Sequence, residues 1–459
     1  MKLVKSLLLG SAAGLAAVSV ASAADLPSRK AAPVEYVRVC SEHGKGFFYI
    51  PGSDTCVQIG GRVRAEVGYW QTNDRNQDAV NFRAQGRINL DVRNNTPYGT
   101  VRAYVRYLMT SRNNNFGSDF ARNGTGNNTS FDLDKGYIQF AGLTAGRATS
   151  FFDFYANNYN FATIRTSDLT TNLFAYTATF GNGFSASLSL EDGTMRRGSL
   201  YSTYTNGLVN DVYGYRSINY AGQTAPDVVG NILVTQDWGQ ARLAAALHQI
   251  RPAFYDRTFG GAYSIGYGDR YFTDDTEYGF AVSGGVKFNL PMIAPGDELW
   301  IEATYSEGAV SYLGAPGTLA QGGIVLPVTD AFVDVNGKTK KAKGFSVIAD
   351  LLHYWTPSVR QNLFASYMKI NYGNRGYSVG TLANGADYNF GFVDISELKI
   401  GTNVIWSPIK NFDIGVEVLY SRLDPKGRVL DNNNGANYLN KTLSSDDSWQ
   451  GRLRVQRDF

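Results

Sequence analysis

The stretch Val80-Asn-Phe-Arg-Ala-Gln-Gly-Arg-Ile-Asn-Leu-Asp-Val-Arg93 decides the fold class. Phe82, Ala84, Gly86, Ile88, Leu90 and Val92 alternate with Arg83, Gln85, Arg87, Asn89 and Asp91. A period of two is the signature of a β-strand, whose successive side chains point to opposite faces. One face here is apolar and the other carries charge, so the strand separates two different solvents. The flanking stretches repeat the pattern. Val63, Ala65, Val67 and Tyr69 interleave with Arg62, Arg64, Glu66 and Gly68, and Val101, Ala103, Val105 and Tyr107 interleave with Arg102, Tyr104 and Arg106.

Working outward, the alternation returns in 184–191, 228–237, 241–248, 277–289, 299–304, 345–355, 398–406, 412–421 and 449–459, and more weakly in 131–142, 143–147, 172–180 and 361–370. With the opening three, these amount to about sixteen strands, an even number as bacterial outer-membrane barrels have. Short connections with turn chemistry (Gly142-Leu143, Gly181-Asn182-Gly183, Thr356-Pro357-Ser358) alternate with long polar ones (112–130, 193–226, 251–276, 307–343, 424–447). The expected fold is all-β: a transmembrane antiparallel barrel with short periplasmic turns and long extracellular loops. Trp70, Trp238, Trp300, Trp355, Trp406 and Trp449 all lie near proposed strand ends, where interfacial girdles are expected.

Composition removes the competing classes. Charged residues are 18% of the 459 and aromatic ones 13%, with 50 Gly, which suits a β-rich chain. The formal net charge of +3 is too balanced for a nucleic-acid binder that works by bulk charge. His43, His248 and His353 occur in no paired-ligand spacing, and no GxSxG elbow or Walker loop is present, so neither an enzyme nor a metal or cofactor is expected. Residues 1–23 carry Lys2 and Lys5, an apolar run from Leu7 to Val20, and Ala21-Ser22-Ala23; they read as a signal peptide cut between Ala23 and Ala24. The expected organisation is then a leader at 1–23, a periplasmic segment at 24–56 and a barrel at 57–459.

Cys40 and Cys56 are the only cysteines. In an exported chain a disulfide is favoured over two free thiols, and His43 alone could not complete a zinc site. Arg62, Arg64, Arg83, Arg87, Arg93, Arg102 and Arg106 share the polar faces of the first three strands with only Glu66 and Asp91. Lipid-facing arginine costs a few kcal/mol at mid-membrane, so these side chains are expected in the lumen. They form either a hydrated wall without selective role or a charged constriction that biases ion passage. The segment 147–168 holds Phe151, Phe152, Phe154, Tyr155, Tyr159 and Phe161. Those rings fit a loop folded into the barrel better than an external strap, and Asp153 and Asp168 would then oppose the arginines.

Several stretches resemble the alphaproteobacterial general porins: Val34-Glu-Tyr-Val-Arg-Val-Cys40, Gly44-Lys-Gly-Phe-Phe-Tyr-Ile-Pro-Gly-Ser-Asp-Thr-Cys56, Ala141-Gly-Leu-Thr-Ala-Gly-Arg-Ala-Thr-Ser-Phe-Phe-Asp-Phe154, Gly401-Thr-Asn-Val-Ile-Trp-Ser-Pro408, Asp413-Ile-Gly-Val-Glu-Val-Leu-Tyr-Ser-Arg422 and the terminal Phe459. The resemblance implies a homotrimeric barrel in outer-membrane lipid and lipopolysaccharide, passive diffusion of small hydrophilic solutes, and an inward loop at about 148–168. It also implies that Phe459 acts as a signal for the barrel-assembly machinery. The Pro-Glu-Phe-Gly-Gly element of enteric constriction loops is absent, so acidic positions are not carried over by that motif. Asp153 matches the family's Ser-Phe-Phe-Asp stretch, whereas Asp168 rests on charge and placement. A solute-specific channel is the alternative, and a structural or adhesive barrel stands behind it.

Overall fold

The computed structural model describes residues 38–72, 78–113, 116, 127–198, 200–204, 214–253, 276–315, 317–334, 338–373, 377–382, 385–431 and 441–459. The expected leader and its Ala23–Ala24 junction lie outside the described residues. Sixteen strands close into one antiparallel barrel. They are β1 (Cys56–Trp70), β2 (Val80–Thr96), β3 (Gly99–Asn113), β4 (Asn127–Phe140), β5 (Leu143–Thr149), β6 (Thr170–Gly181), β7 (Phe184–Glu191) and β8 (Asp227–Gln236), then β9 (Gly239–Ile250), β10 (Glu277–Asn289), β11 (Glu298–Glu307), β12 (Lys343–Thr356), β13 (Val359–Asn371), β14 (Ile395–Ile409), β15 (Phe412–Pro425) and β16 (Asp446–Asp458). Each pairs with its sequence neighbours, and closure comes from β1 on β16, in register from Arg62 opposite Asp458 to Trp70 opposite Gln450. Every stretch with a period of two is a strand, and closure leaves no unpaired edge in the wall.

Alternation places Ile59, Val63, Phe82, Ile88, Leu90, Phe174, Leu188 and Leu243 on the outer face, where they stay exposed. Glu66, Asn81, Asp91, Ser283, Glu302, Asp350 and Glu397 point inward and are buried. The interior is therefore polar and the exterior apolar, the reverse of a soluble sandwich. The reversal at Gly181-Asn182-Gly183 has positive φ throughout. At Gly183 a side chain would meet the Thr235 carbonyl oxygen at 1.9 Å, so only glycine fits.

Wall height is uneven, and that positions the site. β2 has 17 residues whereas β5 has 7. The chain leaving β5 thus departs well below the long-loop rim and enters the lumen at depth.

Three expectations are corrected. Of the six tryptophans, Trp238, Trp355, Trp406 and Trp449 are exposed on the outside, but Trp70 and Trp300 are buried inside. Trp70 packs edge-on to Phe116, and Trp300 lies under Phe154 and Tyr155. Position near a strand end does not say which face a ring occupies. Within the segment 307–343, expected as a polar rim loop, Val310, Leu313, Leu319, Ile324, Leu326, Val328 and Phe332 join an apolar cluster with β13–β15. Finally, Cys56 is not outside the barrel: it is the first residue of β1, opposite Arg93. Its bridge to Cys40 ties the hairpin strand Phe48–Tyr49 onto β1, and the Arg93 guanidinium covers Phe47.

Candidate functional site

Residues 150–169, between β5 and β6, fold across the lumen and lie along the wall from β8 to β16. Each step is held by a hydrogen bond from a distant strand. At the start, Ser150 Oγ and the Phe151 N–H donate to Glu191 at 2.7 and 2.8 Å. Asn231 and Arg242 donate to the Phe151 carbonyl, and Arg242 also reaches the Asp153 carbonyl. The Tyr155 N–H donates to Glu302 at 3.2 Å, while its hydroxyl donates to Asp350. Tyr159 donates to Glu298, and Asn403 donates to the Tyr159 carbonyl at 3.0 Å. At the far wall the Phe161 and Ala162 N–H groups donate to Glu417 at 2.5 and 2.6 Å. The return leg is pinned by Arg165, which forms a buried ion pair with Glu397, with Nη2 2.8 Å from Oε1.

The aromatic run supplies the packing. Phe152 and Tyr155 are fully buried, and Tyr155 joins Ile164, Trp300, Ile348, Phe364 and Leu419 in one cluster. Burial, aided by the carboxylates of Asp350 and Glu298, pushes the phenols of Tyr155 and Tyr159 far above their ordinary range. They remain hydrogen-bond donors at any physiological pH. Gly285 explains the close fit at Phe154: a side chain there would lie 2.6 Å from the ring.

The opposite side of the lumen carries the arginines and meets the loop at Phe161. Arg83 and Arg454 both pair with Glu66. Arg93 and Arg102 share Asp91, each at 2.8 Å, and Arg106 reaches Asp134 at 3.1 Å. Arg62 binds Asp458 at 2.6 Å, with Arg87 3.7 Å from the same carboxylate. The Arg64 hydrogen bonds go to a neutral partner, Gln456, at 2.8 and 2.9 Å. Below the loop tip, Arg62, Arg64, Arg360 and Arg454 line a cavity of about 350 Å³ with Asp413, Asp458, Tyr159 and Phe161. All seven arginines named from the sequence thus share one face of the lumen. Arg452 and Arg454, which join them from β16, were missed because β16 meets β1 only on closure.

The two loop carboxylates part company. Asp153 is buried, accepting from Ser167 at 2.5 Å and the Leu169 N–H at 2.7 Å, with Arg196 at 3.3 Å. It holds the base of the loop together and does not face the arginines as expected. Its direction depends on the Arg196 turn that packs behind it. Asp168 is exposed and accepts from Asn157 at 3.1 Å. Partial loss of water among the loop atoms pushes its carboxyl above the usual carboxylate range, against the pull of the Asn157 hydrogen bond and of Lys135.

Comparison with known proteins agrees with this architecture. The family model described as a porin subfamily matches residues 25–452. Porin Omp2b of Brucella suis biovar 1 is 32% identical over 312 residues, covering 62% of this chain and 80% of the relative. Porin Omp2b of Brucella abortus strain 2308 is 31% identical over the same lengths. The solved outer-membrane channel DcaP of Acinetobacter baumannii is similar in fold, with a TM-score of 0.58 at 17% identity over 90% of this chain and 99% of that one. Family membership and a polar lumen narrowed from within lead to one conclusion: this chain belongs to the porin subfamily and forms a diffusion channel in a Gram-negative outer membrane.

Proposed function

We propose that solutes pass between the arginine wall and the free edge of the 150–169 loop, and that this passage favours small anions. Arg62, Arg64, Arg83, Arg87 and Arg106 line its positive side, with Arg102 towards the short-turn end. Asp168 is the carboxylate of the loop edge, and Asp153 acts by positioning the loop. One observation carries the reading: the inward carboxylates of the far wall are covered by loop N–H groups, hydroxyls and Arg165, whereas Arg62, Arg83, Arg87 and Arg106, although ion-paired, keep part of their side chains exposed. In a narrow lumen such fixed charge biases which ions enter. The test is a reversal potential across a planar bilayer under a KCl gradient. An anion-preferring sign that strengthens at low salt is expected, because screening weakens there; a cation-preferring sign overturns the reading.

The same reading takes the channel as a homotrimer. Arg147 shares the outer face of β5 with Leu143, stands opposite Gly136 and donates to the Leu133 carbonyl at 2.9 Å. Outward arginine in lipid costs a few kcal/mol, a penalty that a neighbouring protomer over the low wall at β5 removes. Arg147→Glu is expected to convert a heat-labile trimer band to monomer on unheated gels, and an unchanged band would speak against this interface.

A further inference from the structure

The segment between β11 and β12 is built unlike a rim loop. Of the described residues in 308–333, only Gly317 and Thr318 are exposed. Val310, Leu313, Leu319, Ile324, Leu326 and Phe332 are almost wholly buried. They pack on Met368 and Ile370 of β13, Ile395 of β14 and Leu423 of β15. Those wall residues point into the lumen. The next inward positions on the same strands are polar: Ser366, Glu397, Lys399 and Ser421. An apolar inner wall at one height makes sense only where something apolar covers it, because a water-filled channel gains nothing from it.

The covering segment also extends past β15. Its hairpin, Thr318–Gln321 paired with Ile324–Pro327, lands on β16, the strand that closes the barrel against β1. There the Gln321 amide donates to Ser448, and the Gly323 N–H donates to Asp446 at 2.7 Å. The base is anchored too. Asp330 is fully buried and accepts from the Val310 N–H at 2.7 Å and the Tyr220 hydroxyl at 2.8 Å. Between base and tip the segment presses on the inward loop: the Tyr312 ring lies 4.7 Å from Phe152, and Arg165 donates to the Gly314 carbonyl at 3.3 Å.

We propose that residues 308–333 are a second size filter: a fixed apolar half-plug that closes the mouth above β11–β15 and confines entry from the long-loop side to the remaining sector. The filter lies above the 150–169 constriction and acts on solutes of any charge, so it stands apart from the ion preference proposed above. It makes the two faces of the channel unequal. A neutral solute arriving from the long-loop side meets the plug first, whereas one arriving from the short-turn side meets only the constriction.

Neutral polyethylene glycols of graded size, added to one side of a bilayer holding the full-length protein, measure this directly through the drop in conductance when a polymer enters. Replacing Thr318–Pro327 by Gly-Gly is expected to raise the size cut-off from the long-loop side and leave the short-turn cut-off at the parent value. Asp446→Ala keeps the chain intact and removes one tether, so it should raise the long-loop cut-off by a smaller step; it decides the matter alone if the shortened chain does not fold. A long-loop cut-off equal to the parent's overturns the proposal. So does an equal rise from both sides, which would mean that the constriction itself had moved.

Discussion

The lumen has two walls of opposite character. Along β1–β4, inward arginines pair with the few carboxylates on the same strands, such as Arg102 with Asp91 and Arg106 with Asp134. From β7 to β15 the inward charges are mostly carboxylates, Glu191, Glu302, Asp350, Glu397 and Glu417 among them, and their partners belong to the crossing loop. The difference teaches how a nearly neutral chain can have a charged passage. Carboxylates on one wall recruit backbone N–H groups and so hold the loop against themselves. Arginines can hold the loop only through its carbonyls, as Arg242 does at Phe151 and Asp153, because a guanidinium only donates. The acidic wall becomes covered, and the basic wall remains open to water.

The largest effect should come from uncoupling the covered wall. Glu397→Ala strips Arg165 of its buried carboxylate, and deleting one partner of a buried pair costs roughly 3–5 kcal/mol. The heat-modifiable barrel should unfold at a lower temperature, and the current should become noisier as the return leg of the loop loosens. An unchanged melting temperature and a quiet current would show that the ion pair does not hold the loop.

Next is the open wall. Replacing Arg83 and Arg87 together by Ser should move the reversal potential toward cations. The shift should be larger at 0.01 M salt, where the Debye length is about 30 Å, than at 1 M, where it is about 3 Å. Equal selectivity in parent and double mutant at low salt would remove these side chains from the passage.

Asp168→Asn should act more weakly and in the opposite sense, toward anions. Because the Asp168 carboxyl titrates above the usual range, lowering the pH of the parent protonates it before an ordinary aspartate near 3.9. Each protonation removes a negative charge from the passage edge, so anion preference should rise as pH falls through that window. The Asn variant should lack this step; a full pH response in the variant would assign it to another group.

The smallest effect on conduction is expected from Cys40→Ser with Cys56→Ser. The bridge clamps a hairpin at the short-turn end of β1, away from the loop, so conductance should hardly change. On a loop-entropy basis the bridge is worth roughly 3 kcal/mol of stability. A large drop in single-channel current would place the hairpin in the conducting path.

Much of this was legible in the chain. The alternation at Val80–Arg93 and its recurrences located every wall strand, and the arginine faces were read onto the lumen from the cost of arginine in lipid. The rings of Phe152 and Tyr155 marked the inward loop, since aromatic residues do not suit a loop in water. Other features were hidden. Gly308–Thr329 reads as a turn-rich, uncharged connection, and nothing in its spacing says that Met368, Ile395 and Leu423 await it. Trp70 and Trp449 both stand near strand ends, yet one lies in the lumen and the other on the outside. Asp153 and Asp168 look alike in sequence, and only the packing of Arg196 separates a buried strut from an exposed carboxylate.

The division has a physical cause. Strand identity and turn are local properties: a period of two and a glycine at positive φ act over a few residues, so the sequence alone determined the barrel and the two faces of its strands. Which of those inward charges still act on a passing ion depends on contacts such as Phe161 with Glu417 and Arg165 with Glu397, whose partners are hundreds of residues apart and meet only when β1 closes on β16. That choice belonged to the tertiary structure.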